Sequence, residues 1–165
     1  MILYNSKNTE VARAKFYTMY YDIIKDSELK WYFGNHGYAV AKWIDKNNQK
    51  QCTFLHEAII QLSGQIISND HQIDHKDGNK LNCLDDNLRI CTYAQNNQNK
   101  DKLKTNTSGY KGVHWHKDTK KWQAQISINC KLRWLGNFDK IEDAAKAYNV
   151  AASQYYGEFA KLNNI

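Results

Sequence analysis

The sequence predicts an α+β protein made of two small domains, and three observations carry that reading. Residues 38 to 54 read as a hairpin, YAVAKWI then CTFL, joined by the polar turn Asp45, Lys46, Asn47 and Asn48. Residues 73 to 92 look like two short strands around a loop rich in Asp, Asn and Gly, with a helix start immediately behind them. From Gly109 onward three strand-like runs are followed by one amphipathic helix. At 165 residues the chain is long enough for one ordinary domain or two small ones, each with a modest core.

The elements follow in order. Residues 9 to 31 carry apolar side chains at helix-like spacing, so residues 1 to 37 are expected to form an N-terminal helical segment. A short helix is expected from about Leu55 to Leu62, after the hairpin. Thr92 and Gln95 have the spacing of a capping box, which starts a helix at Thr92 and presents Asn96. Residues 98 to 108, QNKDKLKTNTS, are polar and basic without apolar periodicity and read as a linker. The expected domains are therefore 38 to 100 and 108 to 165, joined by 101 to 107. The second reads as three strands in meander order, YKGVHW, KWQAQISI and KLRWLGNF, with turns near Asp118 and Asn129. Asp139 and Glu142 give another capping-box spacing, and the helix they open is expected to run to about Tyr156 and stop at Gly157. Ala144, Ala145, Tyr148, Ala151, Ala152 and Tyr155 fall on one stripe of it. Small alanines let a helix approach a sheet closely, which leaves the other sheet face free for basic residues.

Composition narrows the function classes. No apolar run approaches the roughly 20 residues a membrane span needs, so no membrane association is expected. The N-terminal MILYNSKNTEVARAK lacks the basic start, apolar stretch and small-residue cleavage site of a secretory signal, which points to an intracellular, cytoplasmic location. Cys52, Cys83, Cys91 and Cys130 include no CxxC pair, so free thiols and no structural zinc are expected. The net charge of +6 is unevenly spread: residues 1 to 99 carry 11 basic and 11 acidic side chains, whereas residues 100 to 135 carry 9 and 2. Charge alone leaves a solvated lysine face and a polyanion partner equally open. Only Arg13, Arg89 and Arg133 are arginine, so contacts to a nucleic-acid backbone should outnumber contacts to bases.

The chemistry concentrates between Ile73 and Asn99, where Asp74, His75, Asp77, Asn79, Asn82, Asn87, Arg89, Asn96 and Asn99 gather. Phosphodiester hydrolysis needs an activated water, something to absorb charge on the phosphate, and help for the leaving oxygen. A carboxylate and an amide oxygen suit a hard ion such as Mg²⁺, and a neighbouring histidine can take the proton of the water. Asp74, Asn96 and His75 supply those parts. Asp74 and His75 adjoin on a strand, so their side chains leave opposite sides, one for the metal and one for the water. An isolated DHxDGN reads more readily as an Asx-rich turn with a surface histidine.

IDHKDGN, the later DDNLRICT and the closing QNNQN resemble the HNH endonuclease motif in its phage and intron homing form, over roughly residues 38 to 99. The resemblance implies a ββα-metal site, two strands and a helix around one divalent cation. It implies His75 as general base, Asp74 and Asn96 as metal ligands, and Asn87 as the brace of the loop that orients His75. Arg89 would contact DNA or pin the fold, and His56 matches a histidine common ahead of the motif. Asn96 stands where the motif has its final histidine. An amide oxygen suits Mg²⁺, with Mn²⁺ as a substitute, and argues against zinc.

SGYKGVHW, KWQAQI and RWLGNFDKIEDAAKAYNVAASQYYGEFAKLN resemble the plant ethylene-response-factor, or APETALA, type of DNA-binding domain over about residues 108 to 163. That family implies a three-stranded antiparallel sheet backed by one helix and laid in the major groove. By position, Lys111, His114, His116, Gln125, Ser127 and Trp134 occupy places that contact DNA, with Lys121 and Arg133 among the expected phosphate contacts. Arg133 is one step from an expected basic position, where Leu132 sits. His114 and His116 alternate on a strand and are read as DNA-facing and not metal-binding. Of Trp115, Trp122 and Trp134, two are expected to anchor the helix and Trp134 to face the interface.

Together these readings describe a homing-type endonuclease that nicks double-stranded DNA as a monomer or weak dimer. The alternative is a non-catalytic DNA-binding regulator with a decayed nuclease fold.

Overall fold

A computed structural model describes residues 1–4 and 9–165 of the chain. The chain divides into two compact units, Met1–Tyr93 and Ala94–Ile165. The division falls just ahead of the polar segment read as a linker.

In the first unit, β1 (Ile2–Tyr4), β2 (Glu10–Arg13), β3 (Trp31–Phe33), β4 (Ala39–Ile44) and β5 (Lys50–Phe54) form one sheet in the order β2-β1-β3-β4-β5. The β4-β5 hairpin is the one the alternation predicts, antiparallel with Val40 opposite Phe54 and Ile44 opposite Lys50. Its turn is closed by Asp45, whose Oδ1 accepts from the backbone N–H groups of Asn47 and Gln49, both at 2.9 Å. Helix α2 (Leu55–Leu62) follows directly. The Glu57 carboxylate caps its start by accepting from the backbone N–H of Phe54 at 3.2 Å. Leu55, Ile59 and Ile60 are its buried residues of apolar type, spaced as one face of a helix requires.

The single helix expected over residues 9 to 31 is not formed. That stretch contains β2, a 3₁₀ turn at Thr18–Tyr20, the short helix α1 (Tyr21–Asp26) and β3. Residues 5 to 8 of the expected N-terminal helical segment lie outside the described residues. The physical reason is tertiary pairing: Leu3 lies opposite Ala12 between β1 and β2, and Trp31 lies opposite Ala41 between β3 and β4. Helix-like spacing is a weak signal where β-branched and aromatic residues find cross-strand partners. Leu3, Ala14, Tyr20, Ile24 and Trp31 consequently share one core with Ala39, Ala41, Leu55, Ile59, Cys83 and Leu88.

A two-stranded ribbon, β6 (His71–His75) and β7 (Leu88–Thr92), carries the chemistry-bearing motif. Its register sets Asp74 opposite Arg89 and His75 opposite Leu88. Helix α3 (Tyr93–Asn99) opens one residue after Thr92, the expected cap position.

The second unit contains β8 (Val113–His116), β9 (Lys121–Ile128) and β10 (Lys131–Phe138) in the order β10-β9-β8, all antiparallel, with helix α4 (Ile141–Tyr156) behind them. This is the predicted meander and helix. The helix ends at Gly157, where φ is +54°, as the sequence indicates. Its start differs from the expectation: the cap position is Lys140, with no side-chain capping bond, and the Asp139 carboxylate pairs instead with Lys121 at 3.2 Å. Ala144, Ala145, Tyr148, Ala151 and Ala152 are buried as the stripe predicts, but Tyr155 is half exposed and Tyr156 packs in its place against Ile126. Over four turns the buried stripe drifts around the helix, which moves its last aromatic by one position.

Gly112 fixes the approach of sheet and helix. Its φ is +74°, and a Cβ there would sit 2.1 Å from Cδ2 of Tyr148 and 2.7 Å from the Gln125 carbonyl oxygen. Gly112→Ala is expected to destabilise the second unit by about 3 kcal/mol through backbone strain and overpacking, read as a lower urea midpoint. A midpoint unchanged from wild type contradicts this packing.

Candidate active site

The loop from β6 to β7 is held by a side-chain bracket. Asn87 donates from Nδ2 to Asp77 Oδ1 at 3.0 Å and to the Asn82 carbonyl at 2.7 Å, while its Oδ1 accepts from the Asp77 N–H at 3.1 Å. Asp77 also accepts from the Asn79 N–H at 2.8 Å and from Asn82 Nδ2 at 2.7 Å. These bonds hold the Asp77 carboxyl below the usual range, although its partial burial works the other way. The bracket closes the loop directly behind His75, because the Lys76 N–H donates to the Asn87 carbonyl at 2.9 Å. A second tie joins the loop to the 3₁₀ turn at Thr18–Tyr20: Tyr20 Oη donates to Asp85 at 2.5 Å, and the neighbouring carboxylate pushes the phenol up to about 12.

Asp74 and His75 end up as buried polar neighbours, 6 % and 4 % exposed. Arg89 donates from Nε at 2.9 Å and from a terminal nitrogen at 2.7 Å, and both bonds end on Oδ2 of Asp74. The Arg89 side chain is only 10 % exposed, so of its two expected roles the structure displays the internal one, a buried ion pair within the ribbon. Such a pair orients its carboxylate firmly while leaving the site rich in charge.

His75 lies in an aromatic cluster. Its ring is 5.1 Å from that of His56 and 6.0 Å from that of Tyr38, and Phe54 stacks on His56 at 5.5 Å. Lys80 covers the outer face of Tyr38, 4.5 Å from the ring centroid, and donates to the His36 carbonyl at 2.9 Å. Burial pushes His56 down to about 3, with the neighbouring His75 adding to the effect. Burial also lowers His75, against the opposing pull of Asp77 and Asp74. Both imidazoles are therefore neutral at pH 7, the state in which a histidine accepts a proton. Tyr38 and Phe54 also line an open groove of about 770 Å³ together with Tyr32, Phe33, His36 and Lys42. This aromatic wall was missed by motif reading, because its members come from three separate elements with no fixed spacing. The local signal was aromatic density in WYFGNHGY ahead of the hairpin.

Asn96 lies on α3 and is half-buried. Among the described residues no group of three or more His, Cys, Asp or Glu side chains is arranged to hold a metal. One carboxylate with amide oxygens is the hard-oxygen donor chemistry that Mg²⁺ and Mn²⁺ accept. Asp74 and Asn96 fit that chemistry.

In the second unit, strand register sorts the expected DNA-facing residues. His114 lies opposite Gln123, His116 opposite Lys121, Gln125 opposite Trp134 and Ser127 opposite Leu132. These pairs alternate with Val113, Ala124 and Ile126, which face α4, so they share the sheet face away from the helix. Gln123 and Asn137 join that face, linked at 3.2 Å, and were missed although the period of KWQAQIS already puts Gln123 in line with Gln125 and Ser127. Trp134 is 64 % exposed there. Trp122 packs in the core, whereas Trp115, expected to anchor the helix, is half exposed and meets Trp122 edge to face at 5.1 Å. Two residues depart from the expected face. Arg133 lies opposite Ile126 and so belongs to the helix side, where it is exposed. Lys111 precedes β8, and its ammonium is bonded to the carbonyls of Gln98 and Lys100.

Comparison with known proteins agrees with this geometry. Residues 54–98 match the HNH endonuclease family model and residues 108–158 the AP2 domain model. The chain is 36% identical over 139 residues to an uncharacterized HNH endonuclease, L560, of Acanthamoeba polyphaga mimivirus, covering 84% of this chain and 69% of that one. It is 32% identical over 107 residues to Protein 3.8 of Escherichia phage T7, covering 65% of this chain and 88% of that one. The ethylene-responsive transcription factor ERF084 of Arabidopsis thaliana is 39% identical over 64 residues, which are 38% of this chain and 25% of that protein. With a relative matched along most of both chains and Asp74, His75 and Arg89 on one ribbon, the chain belongs to the HNH endonuclease family and carries an AP2-type domain behind its nuclease region.

Proposed function

We propose that the chain is a homing-type endonuclease that nicks double-stranded DNA with one divalent ion, and that its AP2-type sheet supplies affinity and placement. The observation that carries the reading is the pairing of a buried, arginine-oriented carboxylate at Asp74 with a buried imidazole at His75 on one bracketed ribbon. A purely structural Asx-rich turn has no need to bury both groups, since each costs free energy to desolvate.

In this mechanism Asp74 and Asn96 would hold Mg²⁺ or Mn²⁺, and the ion would supply positive charge against the scissile phosphate and the departing oxygen. His75 takes the proton of the attacking water through a ring kept neutral by burial. Asn87 acts through the loop, keeping Asp77 and the backbone behind His75 in place. His56, Phe54 and Tyr38 wall the imidazole off from bulk water on the groove side. One such centre cuts one strand, so a single chain nicks.

The exposed face of β8, β9 and β10 is the proposed DNA surface, with His114, His116, Gln125, Ser127 and Trp134 across it and Lys121 at its edge. Amides, imidazoles and one indole offer hydrogen bonds and a flat contact, while phosphate attraction comes from the lysines of residues 100 to 131 other than Lys111, whose ammonium is bonded internally. Arg133 lies on the other sheet side, away from this surface.

Supercoiled plasmid incubated with Mg²⁺ should convert to the nicked form, and EDTA should stop the conversion. His75→Ala should keep duplex binding and lose about 10²- to 10⁴-fold in nicking rate. Wild-type protein that cuts with neither Mg²⁺ nor Mn²⁺ would instead favour a DNA-binding regulator. Lys121→Ala should lower the slope of log affinity against log salt by about 0.9 without changing nicking at saturating DNA. An unchanged slope removes Lys121 from the interface.

A further inference from the structure

Lys111 occupies a position where an AP2-type domain is expected to touch DNA, yet the structure employs it internally. Its ammonium donates to the Gln98 carbonyl at 2.7 Å and also to the Lys100 carbonyl. Gln98 is in the last turn of α3, whose terminal carbonyls have no partner within the helix. A cation at that end meets both carbonyls of the last turn and the negative end of the helix dipole.

The lysine is itself anchored. Its backbone N–H donates to Asn163 Oδ1 at 2.7 Å, and its carbonyl accepts from Asn163 Nδ2 at 3.0 Å. Asn163 is gripped in turn by Asn149 of α4, which accepts from its N–H at 2.7 Å and donates to its carbonyl at 2.9 Å. The next residue, Gly112, is fixed against Tyr148 and receives the Gln125 N–H at 2.9 Å. A continuous chain of hydrogen bonds therefore runs from α4, through Asn163 and Lys111, to the carboxyl end of α3. Lys111 is half-buried, and that burial brings its ammonium down to about 8 despite the nearby Asp101. A side chain engaged so closely has little to offer a phosphate.

We propose that Lys111 is a positioning residue for the metal centre: by capping the end of α3, it makes the DNA-holding module fix the helix that bears Asn96. The inference rests on the reading of Asn96 as a metal ligand. It gives the AP2-type module a second role, since the body that grips DNA would also set one of the ligands. Loss of the ammonium removes a donor from the Gln98 and Lys100 carbonyls and lets the last turn of α3 fray, two residues from Asn96.

The test uses the full chain as wild type, Lys111→Met, Lys111→Arg and Asn96→Ala, with Mn²⁺ binding followed by the electron paramagnetic resonance of the free ion. Lys111→Met should weaken Mn²⁺ binding by about 10-fold, the range found when the support of a ligand is removed. Lys111→Arg, which can still donate to two carbonyls, should restore it. Duplex affinity in EDTA and its salt slope should stay at wild-type values. Should the methionine variant not fold, Lys111→Gln, which keeps an N–H donor but loses the charge, should show an intermediate loss of Mn²⁺ affinity. Wild-type Mn²⁺ affinity in the uncharged variant overturns the proposal. So does a salt slope lowered by about 0.9, the mark of a phosphate contact. Asn96→Ala separates the two readings: if it weakens Mn²⁺ binding and Lys111→Met does not, only the role of Lys111 falls. If Asn96→Ala binds Mn²⁺ as wild type does, the ligand assignment fails and the role of Lys111 falls with it.

Discussion

The interlock of Asn87 with Asp77 is the constraint on which the nuclease region depends. A two-stranded ribbon is marginal by itself in water, and the twelve positions between His75 and Leu88 would leave its open end free to splay. Three bonds from one asparagine side chain, to a backbone N–H, a carboxylate and a carbonyl, convert that stretch into a closed loop. Cys83 and Leu88 then sink into the core shared with the five-stranded sheet, which supplies the burial that the ribbon lacks. The result is a short, stiff platform carrying Asp74 and His75 side by side.

Those two residues sit in environments tuned in different ways. Asp74 keeps a counter-charge within hydrogen-bonding distance on the neighbouring strand, so its carboxylate is both desolvated and oriented. His75 faces rings and not cations, apart from the more distant Lys80, so burial dominates and the imidazole stays neutral. A buried carboxylate beside a buried imidazole is a pairing that metal-assisted hydrolysis can use. In the second unit the same economy appears in a plainer form: alternation sends Val113, Ala124 and Ile126 toward α4, and the opposite register positions are left for a partner.

Much of this was legible because local chemistry and tertiary structure agree. The β4-β5 hairpin could be read from alternation about an Asp-Asn turn, and α2 from its apolar face, since neither needs a distant partner to be recognised. The motif residues were legible because their spacing encodes a loop that closes on itself. Residues 1 to 37 were not, because a stripe such as Val11, Phe16, Tyr20 and Ile24 fits a helix equally well until Leu3 and Ala41 are known to lie alongside. The cluster of Tyr38, Phe54 and His56 depends on contacts between separate elements, which leave no period in the chain. Lys111 shows another limit: position within a family pattern reports where a side chain starts, not which acceptor it finds, here the Gln98 carbonyl. Arg133 shows how finely register decides, since one step along β10 moves a cation from one sheet face to the other.

The account stands or falls on where a divalent ion binds. Nitrogen-15 spectra of the full chain titrated with trace Mn²⁺ read this directly, because a paramagnetic ion broadens the amide signals nearest to it. The account predicts that signals around Asp74 and His75 on β6 and around Asn96 on α3 fade first, and that those of β8, β9 and β10 persist. Broadening that begins instead at Asp85 and Asp86, or at Glu142 and Asp143 on α4, while position 74 stays sharp, would contradict it.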